Sequence, residues 1–181
     1  MSKLVLSGDT SGSVTLDAPA VSGTTTLTLP TTSGTVLTTG STFAGTGPAF
    51  SAWTNAQSSS ITSNTNTKVL FQTEEFDTNN NFASSTFTPT VAGYYQINAA
   101  FQGAGTVSSA RIILYRNGSE FRSGSYLINQ GNAVIAVLST LVYANGTTDY
   151  FEIYGNLIGS GLTFFFGQGF SYFQGFLARS A

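Results

Sequence analysis

The sequence predicts an all-β antiparallel sandwich or jelly roll, preceded by an extended arm of short strands. Three observations carry this expectation. Short runs rich in β-branched and aromatic residues recur through residues 48–181, separated by Gly, Asn and Pro turn signals. No amphipathic helix of useful length interrupts them. Residues 1–47 hold a single aromatic, Phe43, of a total of 15 Phe, 8 Tyr and 1 Trp, which sets the boundary between arm (1–47) and head (48–181).

The arm reads as three strands: "SVTLDA" (13–18), "TTTLTLP" (24–30) and "TVLTT" (35–39). In an extended chain Leu27 and Leu29 point one way while Thr26 and Thr28 point the other. A few Leu and Val cannot offset the entropy of ordering roughly 40 residues, at about 1–2 kcal/mol each. The arm is therefore expected to order only against another surface.

The head contains six strand-like runs in order: "KVLFQTEEF" (68–76), "GYYQINAAF" (93–101), "RIILYR" (111–116), "AVIAVLSTLVY" (133–143), "DYFEIYGN" (149–156) and "GFSYFQGFLA" (169–178). Asn117-Gly118 and Asn145-Gly146 read as hairpin turns, because Asn and Gly accept positive φ. Both also spell Asn-x-Ser/Thr sequons, but turn chemistry is a sufficient account of them. Several strands are apolar on both faces: Val134, Leu138 and Val142 alternate with Ile135, Val137 and Leu141, and Phe170, Tyr172 and Phe176 alternate with Phe173 and Leu177. An antiparallel sandwich needs one apolar face per strand, so the second calls for another subunit.

Composition narrows the function. Charged residues are 8% of the chain, against roughly 25% in ordinary soluble proteins. So neutral a surface has little repulsion to keep copies apart, which suits an assembly. The six Lys and Arg are scattered and the net charge is −2, which argues against a nucleic-acid partner. The N-terminal "MSKLVLSGDT" is too short in apolar residues for a signal peptide, and the apolar run 133–144 is too short for a membrane helix, so no membrane partner is expected. With no His and no Cys, Ser–His–Asp, Cys–His and His-ligated metal sites are impossible. Glu74, Glu75 and Asp77 form the one acidic cluster; on a regular strand Glu75 and Asp77 would share a face. It reads as a solvated loop rather than a glycosidase pair or a Ca²⁺ site, since no ligand spacing accompanies it. No catalytic residue, metal or cofactor is expected.

With these strands in order, residues 48–181 resemble the globular head of the C1q/tumour-necrosis-factor family. The landmarks are "PAFSAW" (48–53), "KVLFQTEEFDTNNNF" (68–82), "STFTPTVAGYYQINAAF" (85–101), "LYRNGSEF" (114–121) and the closing "GFSYFQGFLA". The resemblance implies a ten-stranded antiparallel jelly roll packed as a homotrimer, with Tyr95, Phe166, Phe170, Tyr172, Phe173 and Phe176 expected at the trimer interface. The arm, "GSVTLDAPAVSGTTTLTLPTTSGTVLTTG" (12–40), resembles segments near the N-termini of tailed-bacteriophage structural proteins. Together they lead to the expectation of a trimeric capsid decoration (cement) protein on the outer capsid surface of a virion. Its partners would be itself and the major capsid protein, with Leu4, Leu6, Val14, Leu16, Leu27, Leu29, Val36 and Leu37 as anchors. The alternative is a tail-fibre or receptor-binding tip that recognises a host surface ligand. The missing shaft of repeats or heptads counts against it.

Overall fold

The structure is a computed structural model that describes residues 3–7, 9–17, 31 and 47–181. The chain divides into two compact units, Met1–Ser41 and Thr42–Ala181.

In the first unit β1 (Lys3–Ser7) pairs antiparallel with β2 (Ser13–Asp17). The register sets Leu4 opposite Leu16 and Leu6 opposite Val14. Val5 stands opposite Thr15 and Ser7 opposite Ser13. The expectation that the arm orders only against another surface is corrected at its start: here two strands order against each other. Gly12, at φ 80°, lies in the turn that lets them meet. A two-stranded ribbon is marginal in water on its own, and Leu6 remains 54% exposed. The strands expected at 24–30 and 35–39, with Leu27, Leu29, Val36 and Leu37, lie outside the described residues.

The second unit runs β3 (Ala49–Trp53), β4 (Thr67–Lys68), β5 (Thr73–Asp77), β6 (Phe82–Ala83), β7 (Thr86–Phe87), β8 (Gly93–Arg116), β9 (Ser119–Ala144), β10 (Phe151–Phe165) and β11 (Tyr172–Ser180). All pairings are antiparallel. The jelly roll expected from sequence is present, drawn with fewer and longer strands. β8 lies between β11 and β9 over residues 93–100, then between β10 and β9 from residue 102 onward. The first layer is therefore β5-β3-β11-β8-β9 and the second β6-β7-β10-β8-β9. "GYYQINAAF" and "RIILYR", expected as separate strands, are two halves of β8, and "AVIAVLSTLVY" is the second half of β9. Register shifts between Ala104 and Val107 mark the bend. Gly105 makes it possible: its φ is 104°, and a Cβ there would collide with the Gly161 carbonyl.

The expected run "KVLFQTEEF" is broken into β4 and β5. Within β5, Ser51 pairs with Phe76 while Ala52 pairs with Glu74, so Glu75 is the extra residue of a bulge. The regular-strand alternation expected for Glu75 and Asp77 is thereby interrupted. Glu75 accepts a hydrogen bond from the Ser51 hydroxyl at 3.0 Å, whereas Asp77 accepts from the Phe82 N–H at 2.7 Å and closes the Asn-rich turn.

Between the layers lies a core of aromatic rings. Phe50 stacks on Phe87 at 4.3 Å and on Phe82 at 4.9 Å, and Phe173 meets Phe50 edge-on at 4.9 Å. Phe101 and Phe164 make a second edge-on pair at 4.9 Å. Tyr95 belongs to this core, fully buried, and its hydroxyl donates to the Val91 carbonyl at 2.6 Å. Burial pushes that phenol up to about 12.

The turn chemistry converges on one buried carboxylate. Asn117 (φ 54°) and Gly118 (φ 78°) form the two-residue hairpin between β8 and β9, as the dipeptide predicts. Asn145-Gly146 instead opens a longer loop to β10. There the Asn145 side-chain oxygen accepts from the N–H groups of Thr147, Thr148 and Asp149 at 2.9–3.1 Å. Asp149, buried, receives Arg116 through two nitrogens (3.3 and 2.8 Å), the Asn117 amide at 2.8 Å and the Asn145 N–H at 2.8 Å. Burial alone would raise this carboxyl, but those donors and the Arg116 charge outweigh it and hold it below the usual aspartate range. A carboxyl depressed in the folded state stabilises at neutral pH, and that contribution fades as pH falls through its folded value. Asp149→Ala is expected to cost about 3 kcal/mol at neutral pH, because Arg116 is left without its partner. Urea unfolding at neutral pH and in acid below the usual aspartate range checks this: the gap between the two proteins should narrow as the pH falls.

Candidate self-association face

The alternation of β8, β9 and β11 decides what the first layer shows on its outer side. Tyr95, Ile97, Ala99 and Phe101 turn inward, which sends Tyr94, Gln96 and Asn98 outward. In β9, Val134, Ala136, Leu138 and Val142 turn inward, so Ile135, Val137, Leu141 and Tyr143 turn outward at 41–51% exposure. The second apolar face read from the sequence is thus open on the single chain. β11 adds Phe176 at 49% exposure, beside half-buried Tyr172.

The register lays these residues out in rows across three strands. Phe176 pairs with Gln96 and Gln96 with Leu141; Tyr172 pairs with Ala100 and Ala100 with Val137. Between these apolar rows sits a polar one. The Gln96 amide donates to Asn98 Oδ1 (3.1 Å) and to the Ser139 hydroxyl (3.0 Å), and Ser139 donates to Asn98 Oδ1 at 2.8 Å. These bonds satisfy Asn98 Oδ1 and the Ser139 hydroxyl within the row, so only its other amide atoms need partners or water when the face is covered. At one end Tyr94 and Tyr143 meet edge-on at 5.5 Å. There Tyr94, Leu141 and residues 178–181 line a hollow of about 540 Å³. Burying a large apolar side chain contributes roughly 1.5–3 kcal/mol, so each half-exposed one has about 1 kcal/mol still to gain.

Solved structures of the same shape exist in animals. The globular domain of zebrafish complement 1qA covers 75% of this chain and 99% of its own, at 20% identity and a TM-score of 0.54. Murine APRIL covers 72% of this chain and 98% of its own, at 7% identity and a TM-score of 0.57. Eiger TNF from S. frugiperda covers 75% of this chain and 95% of its own, at 6% identity and a TM-score of 0.55. The head has the C1q/tumour-necrosis-factor jelly-roll fold. No protein-family model and no curated protein matches the sequence.

Within this C1q-like head the six expected interface residues part company. Tyr95 and Phe173 are corrected: both are fully buried in the core of a single chain, on the inward positions of β8 and β11. Their side chains offer nothing to a partner. Phe176 and Tyr172 do lie on the outer face. Phe166 and Phe170, each 43% exposed and in the β10–β11 connection, cluster with Phe165 at the end of β10 at ring distances of 5.0 and 5.8 Å. The sequence expectation did not name Tyr94 and Tyr143, which also lie on the outer face. The signal for Tyr94 was present: it stands in phase with Gln96 and Asn98, whereas Tyr95 stands in phase with Ile97 and Phe101.

Among the described residues no group of three or more acidic side chains is placed to hold a metal ion. The ionic contacts are local. Lys68 joins Glu152 at 2.7 Å and also donates to the Thr86 hydroxyl and the Ser84 carbonyl, which ties β4 and the β6–β7 turn to β10.

Proposed function

We propose that this chain is a non-enzymatic structural protein of a virion: a homotrimeric capsid decoration protein held to the major capsid protein by its arm. The outer face of β11, β8 and β9 carries the self-association part of the reading. An uncharged, half-exposed set of Tyr94, Leu141, Val137, Tyr143 and Phe176 is more apolar than a freely diffusing small domain tolerates. A ring of three copies covers the same patch on every subunit.

The arm supplies the capsid part. Its apolar positions alternate with Thr, and β1 and β2 form a ribbon too small to be stable alone. Such strands gain by adding to the sheet edge of another protein, where main-chain hydrogen bonds give affinity and alternate side chains give selectivity. Three arms on one trimer multiply that affinity through effective concentration.

Three measurements test the reading. Sedimentation equilibrium should give three times the 18.9 kDa chain mass. Quantitative mass spectrometry of purified virions should find the protein at a fixed, high ratio to the major capsid protein, and a variant lacking residues 1–40 should lose capsid binding while still sedimenting as a trimer. A few copies per particle, or full binding without the arm, would overturn the proposal.

A further inference from the structure

We infer that the outer face of the second layer carries a groove for neutral saccharides. The register of β10, β8 and β9 sets Asn156, Arg111 and Tyr126 side by side across three strands. A loop walls the β10 side. The Asn64 N–H donates to the Leu157 carbonyl at 2.8 Å, the Ser63 hydroxyl accepts from the Gly159 N–H at 3.1 Å, and the Asn156 amide donates to Asn66 at 2.9 Å. Asn64, Arg111, Tyr126, Asn156 and Ile158 line an open groove of about 390 Å³. Small-molecule sites run to roughly 300–1,000 Å³.

Three features select the ligand class. The first is charge. Arg111 is gripped by both carboxylate oxygens of Glu120, at 2.8 and 3.2 Å, so the groove presents a neutralised pair rather than a free cation. A phosphate, sulfate or sugar acid would have to displace Glu120. The second is rigidity of the polar groups. Asn156 is tied to Asn66, and Asn66 donates in turn to the Tyr115 hydroxyl at 2.8 Å. Amides, a guanidinium and a carboxylate held in place suit vicinal hydroxyls, each of which both donates and accepts.

The third feature is Tyr126, 62% exposed and the most open large hydrophobic side chain described in the head. A ring standing free on a rigid strand, beside fixed polar groups, offers its face to the C–H side of a sugar and its hydroxyl to water. An apolar ligand would want an enclosed pocket, which this open groove is not. The groove lies on the layer opposite Leu141 and Val137, so a saccharide and a second copy of the chain can be held together. The inference does not depend on the virion reading.

Saturation-transfer difference NMR on the full chain tests it, with maltotriose, cellotriose, triacetylchitotriose and galactotriose as neutral probes and a sialic-acid trimer as the acidic one. At least one neutral probe is expected to bind, with Tyr126→Ala weakening it by about tenfold or more. Asn156→Ala should weaken it too, while Tyr143→Ala on the other layer leaves it unchanged. Circular dichroism checks that each variant is folded. Silence from every neutral probe, preference for the acidic trimer, or unchanged binding by Tyr126→Ala would overturn the inference.

Discussion

Replacing Phe173 by alanine is expected to cost about 3–5 kcal/mol, the range for emptying a buried aromatic site. Phe173 sits edge-on to Phe50 at 4.9 Å, with Phe71 and Phe82 at 5.6 and 5.8 Å, and no part of it reaches solvent. These rings come from β3, β6, β11 and the segment before β5, so a cavity here loosens both layers at once. Domains of this size have about 5–15 kcal/mol of total stability, so the variant should be near the edge of folding. Phe176→Ala is the internal control. Three residues along the same strand, its side chain is already 49% exposed, and the loss should stay within about 1 kcal/mol. Urea unfolding of both variants at low protein concentration reads the difference. Equal costs would mean that the two faces of β11 have been assigned the wrong way round.

That contrast also shows how far the sequence alone reaches. Strand periodicity assigns β9 correctly, because Val134, Leu138 and Val142 are in phase over a long run and Ile135, Val137 and Leu141 are out of phase. The Asn117-Gly118 turn is equally legible, since a two-residue type I′ loop requires positive φ at both positions. The assignment fails where a resemblance stood in for alternation, as at Tyr95. It fails again where a bulge breaks the period, as at Glu75. Asn145-Gly146 looks like Asn117-Gly118 in sequence and differs in structure, because its role depends on Asp149 and Arg116 arriving from elsewhere.

The groove was beyond reach for a further reason. Arg111, Tyr126 and Asn156 are distant in sequence, and neighbours only through the pairing of β8 with β9 and β10. Bulges at Arg111/Ile113 and Ile158/Gly159 shift those registers, and no local pattern announces them. Residues that work through cross-strand rows become visible only once the rows exist.

Leu141→Glu is expected to leave the isolated head folded and to abolish its self-association. Leu141 stands at 51% exposure between Gln96 on β8 and the Tyr94–Tyr143 pair, on the largely apolar outer face. On a single chain a glutamate there points into water, so the stability change should stay within about 1 kcal/mol. In an assembly the same carboxylate loses its solvent, at a cost of several kcal/mol per ion without a partner. Nearby Arg179 lines the same hollow but is exposed, and an exposed ion pair recovers only about 0–1 kcal/mol. The penalty recurs in every subunit of a symmetric ring, so even a tight trimer should fall apart. Sedimentation velocity across a concentration series separates the outcomes: wild type as a trimer and the variant as a monomer supports the face, whereas a variant that assembles normally would move the contact elsewhere. Tyr126→Glu, on the opposite layer, should leave the trimer intact. Together the two substitutions distinguish a specific contact through the first layer from the general stickiness expected of a chain with only 8% charged residues.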